Sequence, residues 1–459
     1  MSIVTKTITW GARRTKRMPP TQIIILVFLA IIAAGALLLT LPVATRAPGG
    51  TDLLTALFTA TSAVSVTGLT LVDTYTHWTF FGQAVILLLI QVGGLGFMSI
   101  ISIFYFLLDK RIGLRDRLVI MESMNLDEMS GVVALLRHVL IGTLLFEFVG
   151  AVILSLHFIP EFGLAAGIWR GTFLAVSAFC NAGFHILGGH DMFSSLATYS
   201  DSPVVLLTMA ILIVIGSTGF YVWEDILKRR RWKRLHVHSK LVLLITGILV
   251  VLGALMYLLM EGQNPNSLGL LPIGDQIMLS LFQSVSTRTA GFDVIGQLTL
   301  TEDTRLLSIF LMFIGGSSGS TAGGVKTVTI GILILSAVSV MRGRHDLTVF
   351  GKTIAPKQIL NAATLVVIGM IFTVGGGIFI FRTAGVSLAD ALFETVAAYG
   401  TAGLSIGVID EVGTIDRILL MCYMFFGKIG ITSISIAFLM HSKKAHAKIS
   451  YPTESVIIG

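Results

Sequence analysis

The chain has 459 residues, of which 54% are hydrophobic and only 12% are charged. Soluble globular domains usually carry about 25% charged residues, so this composition excludes a soluble protein and predicts a polytopic membrane protein. Two cysteines, Cys180 and Cys422, are too few for a disulfide framework or a CxxC metal site.

Eight apolar segments are long enough to cross a bilayer core, which takes about 20 residues of helix. In chain order these predicted spans are 22–41, 79–108, 136–159, 203–224, 241–260, 305–340, 358–381 and 417–440. Each successive pair of spans encloses a shorter apolar piece that can enter the membrane and return; the four pieces are 52–66, 168–182, 275–289 and 388–401. The sequence therefore predicts an all-α integral membrane fold with eight transmembrane helices and four re-entrant pore helices.

Lysine and arginine are concentrated on one side of this arrangement. They cluster before the first span, in 110–117, 228–240 and 342–357, and after Met440. By the positive-inside rule, the segment 1–20 and the tail 443–459 are cytoplasmic, and the short pieces enter from outside. The net charge of +7 is thus explained by topology rather than by nucleic-acid binding. The run 228–240, with Trp232, would suit an anionic lipid surface, a regulatory subunit or topology alone.

Each short piece ends in a similar sequence motif that contains a glycine. Residues 61–70 read TSAVSVTGLT, 177–184 read SAFCNAGF, 284–292 read SVSTRTAGF and 396–404 read VAAYGTAGL. The glycines Gly68, Gly183, Gly291 and Gly403 recur every 108 to 115 residues, nine or ten positions after a phenylalanine. This periodicity predicts four span–pore helix–span repeats, at 21–117, 118–234, 235–345 and 346–442.

Four re-entrant loops are tolerated at membrane depth only where they are buried in protein or line a wet cavity. Loops that meet on one axis would turn carbonyl oxygens inward to replace the hydration shell of a cation, and potassium suits a ring without carboxylates. The predicted filter residues, which would hold potassium, are Val66, Thr67, Gly68, Leu69, Asn181, Ala182, Gly183, Phe184, Thr289, Ala290, Gly291, Phe292, Thr401, Ala402, Gly403 and Leu404. The alternative is that such glycines only let helices pack closely, which suits Gly93, Gly94 and Gly96.

The fourfold repeat, the TRTAGF phrase at 287–292 and a broken sixth span resemble the Trk/Ktr/HKT superfamily of potassium transporters. Within it the chain is most similar to the ion-translocating membrane subunits of bacterial Ktr systems, with the run GGSSGSTAGGVK at 315–326. The resemblance implies a homodimer in the bacterial cytoplasmic (inner) membrane, with one pore in each monomer. It also implies a KtrA-like cytosolic ring that binds ATP or ADP, sodium as an activator, and no covalent cofactor.

The run 315–324 interrupts the sixth span below the predicted filter. A Gly/Ser loop there adopts many conformations and requires a wet cavity, which predicts an intramembrane gate, and the resemblance supports it. The gate residues are Gly315, Gly316, Ser317, Ser318, Gly319, Ser320, Thr321, Ala322, Gly323, Gly324 and Lys326. A passive break is the alternative; a phosphate loop fits poorly because the lysine is one place late. Lys326 could pair with an acid in a closed state.

Lys428 lies within the last predicted span, where a charge should face a cavity or a partner. It is interpreted either as a pore charge that repels a second cation or as half of an ion pair with Glu147. The family generally places arginine here, and lysine lacks its fork of donors. Arg288 is expected to brace the backs of the filter loops.

The spans contain no carboxylate dyad, nucleophile–histidine pairing or metal-ligand spacing, which argues against an enzyme. The alternative to a gated pore is an alternating-access secondary transporter for a cation.

Overall fold

The computed structural model describes residues 20–96, 132–188, 195–344 and 346–430. Within these ranges the regular structure is almost entirely helical. The helices are α1 (Pro20–Leu39), α2 (Leu53–Ser65), α3 (Thr74–His77), α4 (Phe80–Leu95), α5 (Val132–Phe162), α6 (Leu164–Cys180), α7 (Pro203–Thr218), α8 (Phe220–Arg229), α9 (Val237–Glu261), α10 (Ile273–Thr287), α11 (Glu302–Phe313), α12 (Thr327–Met341), α13 (Pro356–Ala384), α14 (Leu388–Gly400), α15 (Val408–Glu411) and α16 (Thr414–Ile429). A two-stranded antiparallel hairpin, β1 (Thr348–Val349) and β2 (Lys352–Thr353), connects α12 to α13.

Four of the described helices, α1, α5, α9 and α13, are long and apolar enough to cross a membrane. The pair α7 and α8 would count as a fifth span, bent by 91°. The protein is therefore a multi-pass membrane protein, as its composition predicts. Two predicted spans, 79–108 and 417–440, run into residues outside the described ranges, so the count of eight spans stays a prediction.

The four short apolar pieces are helices α2, α6, α10 and α14. Two of them begin at a residue whose side chain caps the first turn: Asp52 accepts a hydrogen bond from the Thr55 amide, and Ser387 accepts one from the Asp390 amide. The recurring phenylalanine on each short helix is a core residue, at most 1% exposed; these are Phe58, Phe173, Phe282 and Phe393. The repeated apolar position thus anchors each short helix in the protein interior.

The sixth predicted span is broken where the sequence indicates. Helix α11 ends at Phe313 and α12 begins at Thr327, and the run between them is a loop. Its two ends lie side by side, because the Gly315 amide donates to the Val325 carbonyl at 2.9 Å.

The fourth predicted span, 203–224, differs from the expectation of one continuous helix. It is divided at Gly219, which has a φ of 101°; glycine adopts this angle readily, whereas it is strained for other residues. Helices α4 and α16 end in the same way, at Gly96 (φ 77°) and Gly430 (φ 85°). Three residues before each of these breaks, another glycine packs against a short helix.

These packing glycines are Gly93, Gly216 and Gly427. A Cβ on them would lie 2.0, 1.9 and 1.9 Å from a carbonyl oxygen at the end of α2, α6 and α14 respectively. Gly94 likewise has no room for a side chain, since its Cβ would lie 2.5 Å from Cys180 Sγ. Packing therefore explains Gly93 and Gly94, whereas Gly96 ends a helix.

Candidate functional site: a ring of four glycine loops

Four loops follow the short helices and share one backbone pattern. We name them loop 1 (66–69), loop 2 (181–184), loop 3 (289–292) and loop 4 (401–404). In each, the residue two before the glycine is left-handed, with φ between 52° and 71°: Val66, Asn181, Thr289 and Thr401. The glycines follow with φ between 73° and 97°. Left-handed valine and threonine are uncommon, and such strain concentrates at functional sites.

The four loops meet in a closed ring. A Cβ on Gly68 would lie 2.7 Å from the carbonyl oxygen of Ala182, and one on Gly183 would lie 3.0 Å from that of Ala290. A Cβ on Gly291 would lie 2.8 Å from the oxygen of Ala402, and one on Gly403 would lie 1.9 Å from that of Thr67. Each loop therefore touches the next in the order 1, 2, 3, 4 and back to 1. We call the oxygens of Thr67, Ala182, Ala290 and Ala402 the carbonyl ring.

Hydrogen bonds to the ends of the short helices hold the loop amides. The Thr67, Ala182 and Ala402 amides donate to carbonyls five residues earlier, at 2.9, 2.8 and 2.8 Å, which is the Schellman pattern of a left-handed cap. In loop 3 the Ala290 amide instead donates to the Ser286 carbonyl, four residues earlier, at 2.9 Å. Since all four short helices point their carboxyl ends at the ring, their dipoles favour a cation there.

The residue after each glycine packs into the protein. Leu69, Phe184, Phe292 and Leu404 are at most 1% exposed. The structure therefore brings together all sixteen predicted filter residues, with backbone at the ring and apolar side chains behind it.

Polar side chains behind the ring brace each loop differently. The Ser62 hydroxyl accepts from the Gly68 amide at 3.0 Å, and the Ser286 hydroxyl accepts from the Phe292 amide at 2.9 Å. Behind loop 4 the fully buried Glu394 accepts from the Ile406 amide at 3.1 Å and from the Ser405 hydroxyl. Glu394 is the only acid in the largely apolar run 391–400, and this was the available signal for the brace, which sequence reasoning missed.

The expected brace by Arg288 is not observed at two of its nitrogens. Its side chain is 3% exposed, and its Nε and Nη2 make no hydrogen bond within the described residues. The braces that the structure shows are the hydroxyls and the carboxylate described above.

The predicted gate loop lies against the ends of two of the short helices. The Thr321 hydroxyl donates to Asn181 Oδ1 at 3.1 Å, and the Gly323 amide donates to Thr401 Oγ1 at 3.1 Å. The left-handed residues of loops 2 and 4 thus use their side chains to hold this segment. A Cβ on Gly324 would lie 3.2 Å from Gly400, so the loop fits closely under the ring.

Two lysines bind consecutive carbonyls of the gate loop. Lys428 Nζ donates to the Thr321 carbonyl at 2.5 Å, and Lys326 Nζ donates to the Ala322 carbonyl at 2.7 Å. Neither lysine forms an ion pair with an acid of the described ranges. The acidic partner considered for Lys326 and the Lys428–Glu147 pair are therefore not observed. Glu147 accepts hydrogen bonds from Gln91 Nε2 at 3.0 and 3.1 Å.

Comparison with known proteins places this chain in a family. The profile of the TrkH cation transport protein family matches residues 3–448. The chain belongs to this family. It is 38% identical to the potassium/sodium uptake protein NtpJ of Enterococcus hirae over 97% of this chain and 99% of that protein. It is 36% identical to the Ktr system potassium uptake protein B of Bacillus subtilis, with 96% and 97% covered.

A third relative is the Ktr system potassium uptake protein B of Vibrio alginolyticus, 33% identical over 98% of this chain and 97% of its own. Among solved structures, the potassium transporter TrkH of Vibrio parahaemolyticus superposes with a TM-score of 0.72 at 19% identity, covering 93% of this chain and 86% of that chain. This likeness shows that the two share a fold. The predicted superfamily and helical membrane fold are confirmed.

Proposed function

We propose that this chain carries potassium ions through the cytoplasmic membrane of a bacterium, and that the carbonyl ring is its selectivity filter. The cyclic contact of the four glycine loops is the observation that carries the proposal. A ring of carbonyl oxygens, with no carboxylate side chain among the loop residues, replaces the hydration shell of a large monovalent cation. Two of the relatives above are named potassium uptake proteins and the third a potassium/sodium uptake protein, which supports potassium as the ion.

The run 315–324 is the gate in this proposal, and the arrangement described is its closed position. Its contacts support this role: Thr321 and Gly323 tie the loop to loops 2 and 4, so that it would lie in the path of an ion that leaves the ring toward the cytoplasm. The ammonium groups of Lys428 and Lys326 add positive charge at the same level. They would repel a cation in the closed position as well as hold the loop.

The proposal extends to assembly. The chain acts as a homodimer with one pore per protomer, both termini cytoplasmic, and it is controlled by a KtrA-like nucleotide-binding ring. The Ktr system names of the relatives and the basic character of the predicted cytoplasmic segments support this arrangement. Potassium bound in the filter is cargo, sodium acts as an activator, and ATP or ADP binds only the partner ring.

Growth rescue tests the proposed function. Cells that lack their own potassium importers would receive the wild type, Gly291→Ser or the control Gly375→Ser, with and without a co-expressed KtrA-like subunit. A Cβ on Gly291 would press on the Ala402 oxygen at 2.8 Å, whereas one on Gly375 meets nothing within 4 Å.

We expect growth on low potassium with the wild type and the control, and a higher potassium requirement with Gly291→Ser. No rescue by correctly inserted wild type, even with the regulatory subunit, would show that the substrate is wrong. Rescue that collapses with the proton or sodium gradient and ignores Gly291→Ser would favour alternating access instead.

A further inference from the structure

The broken span formed by α7, Gly219 and α8, which we call the elbow, is fastened directly to the gate loop. The Phe220 amide donates to the Gly319 carbonyl at 2.8 Å. In the other direction the Ser317 amide donates to the Ser217 carbonyl at 3.0 Å, and the Thr321 amide donates to the Gly216 carbonyl at 3.3 Å. Displacement of α8 relative to α7 would therefore disturb the seat of the loop.

Helix α8 is fixed by contacts in its first turns and at Asp225, although its last residues are exposed. Trp223 contacts Phe146 and Phe179, with ring centroids 5.4 and 5.7 Å apart. Near its far end, buried Asp225 accepts from Arg229 Nε at 2.8 Å and from the His236 amide at 2.9 Å. The helix thus links the gate loop to the segment that follows it as one packed element.

That segment, the basic turn (230–234), presents four exposed cations, Arg230, Arg231, Lys233 and Arg234. The neighbouring Lys228 and Arg229 are neutralised by Glu224 and Asp225. In contrast, the four cations of the turn have no carboxylate within salt-bridge distance in the part of the chain that the structure describes.

Large apolar side chains are exposed beside these charges. Trp232 is 49% exposed within the turn, and Leu227 is 67% exposed on the last part of α8. Exposed tryptophan and leucine next to unpaired cations, on the predicted cytoplasmic side, match an anionic leaflet: the apolar groups enter the acyl boundary and the cations meet phosphates. A soluble acidic protein would account for the charge but not for the exposed leucine on α8.

The turn is also held in place. Lys240 Nζ donates to the Lys233 carbonyl at 3.3 Å and lies 5.4 Å above the ring of Phe350, in the hairpin between β1 and β2. The cations are therefore presented by an anchored segment, which favours a bound headgroup over diffuse attraction.

We propose that the basic turn binds the phosphate headgroups of anionic phospholipids in the cytoplasmic leaflet and, through the elbow, stabilises the seated gate loop. The coupling rests on the proposed function of that loop. A ligand that binds the arrangement seen here shifts the population toward it, so anionic lipid lowers ion flux.

Lipid contact is tested by fluorescence of the full-length protein in vesicles. The signal of Trp232 is isolated by subtracting a Trp232→Phe variant, and quenching is compared between brominated phosphatidylglycerol and brominated phosphatidylcholine. The test variant changes Arg230, Arg231, Lys233 and Arg234 to Gln. The control variant changes Arg342, Arg344, Lys352 and Lys357 to Gln; these exposed cations also lie in a predicted cytoplasmic segment, and within the described ranges none bonds residues 315–324.

We expect quenching about threefold stronger with the anionic lipid, retained in the control and lost in the test variant. Equal quenching by the two lipids would overturn the proposal. So would a test variant that keeps its quenching but no longer binds a KtrA-like protein, because the turn would then be a protein-docking surface.

Coupling is tested by rubidium flux into the same vesicles. Flux should fall about threefold when 30% phosphatidylglycerol is present, in the wild type and the control, and should not fall in the test variant. Identical lipid dependence in both variants would overturn the coupling. Absence of any flux from the wild type would refute the proposed function, while the quenching would still decide whether the turn binds lipid.

Discussion

Gly403 and Gly183 form a matched pair that separates carbonyl displacement from backbone strain. Both have φ of 73°, so alanine pays a similar conformational cost at either position, about 1 kcal/mol. Their surroundings differ: a Cβ on Gly403 would lie 1.9 Å from the Thr67 oxygen, whereas one on Gly183 would lie 3.0 Å from the Ala290 oxygen. The two substitutions therefore differ mainly in what they do to the carbonyl ring.

Real Cβ atoms essentially never lie closer than 3.0 Å to such an atom, so in Gly403→Ala the Thr67 oxygen must move by about 1.1 Å. This movement takes the oxygen away from an ion on the axis. Gly183→Ala requires its backbone neighbours, which would lie 3.0 to 3.2 Å from the new Cβ, to move by only a few tenths of an ångström. We expect Gly403→Ala to lower the preference for potassium over sodium at least tenfold, or about 1.4 kcal/mol, and Gly183→Ala to lower it less than about threefold.

The assay is uptake of labelled rubidium into proteoliposomes in competition with potassium or sodium, with protein insertion measured in each preparation. Equal loss of preference in the two variants would refute the reasoning, because strain alone would then explain both. Unchanged preference in Gly403→Ala would show that the Thr67 oxygen does not contact the ion.

Four further predictions concern the gate and the fold. Deleting residues 317–322 should raise rubidium flux several-fold and weaken nucleotide control. Lys428→Met should also raise the flux, since it removes the hydrogen bond to the Thr321 carbonyl. A lower flux through correctly inserted protein would contradict the role of this loop as a gate. Tyr257→Phe should lower the free energy of unfolding by about 1 kcal/mol, since the buried hydroxyl forms hydrogen bonds with the Thr287 and Ser308 hydroxyls at 3.0 and 2.6 Å. An unchanged melting temperature in detergent would count against this. Burial lowers the pKa of His77, whose Nε2 lies 2.7 Å from the Thr51 hydroxyl, so the folded protein favours the neutral ring. The stabilisation by this ring is therefore present above pH 6.5 and is lost as the pH falls. The difference in melting temperature between the wild type and His77→Gln should become smaller from pH 7.5 to pH 5.5, and a constant difference would contradict this.

Much of the site was predictable because short local sequence motifs determine it. A half-length apolar segment followed by a glycine allows few structures at membrane depth, and four copies constrain one another. The predicted pieces 52–66 and 388–401 correspond to α2 and α14, and the Gly/Ser break of the sixth span is where the helix stops.

The parts that were not predicted depend on contacts between distant segments. The pattern Gly216-x-x-Gly219 gives no sign, within an apolar run, that the helix will bend by 91°. The reason is tertiary: Gly216 backs onto the Phe179 carbonyl, and Gly219 would clash with the Ser318 carbonyl if it carried a side chain. Lys428 likewise binds a backbone carbonyl of the gate loop, a partner that no pattern of charges along the chain could reveal.

The central claim is that one cation binds among the carbonyls of Thr67, Ala182, Ala290 and Ala402. Anomalous scattering from crystals of the full chain grown in rubidium would test it most directly. We predict one anomalous peak on the axis of the four loops, in contact with these oxygens and reduced in Gly403→Ala. Crystals of uptake-competent protein with no peak among the loops, or with the ion held elsewhere by carboxylates, would contradict the account.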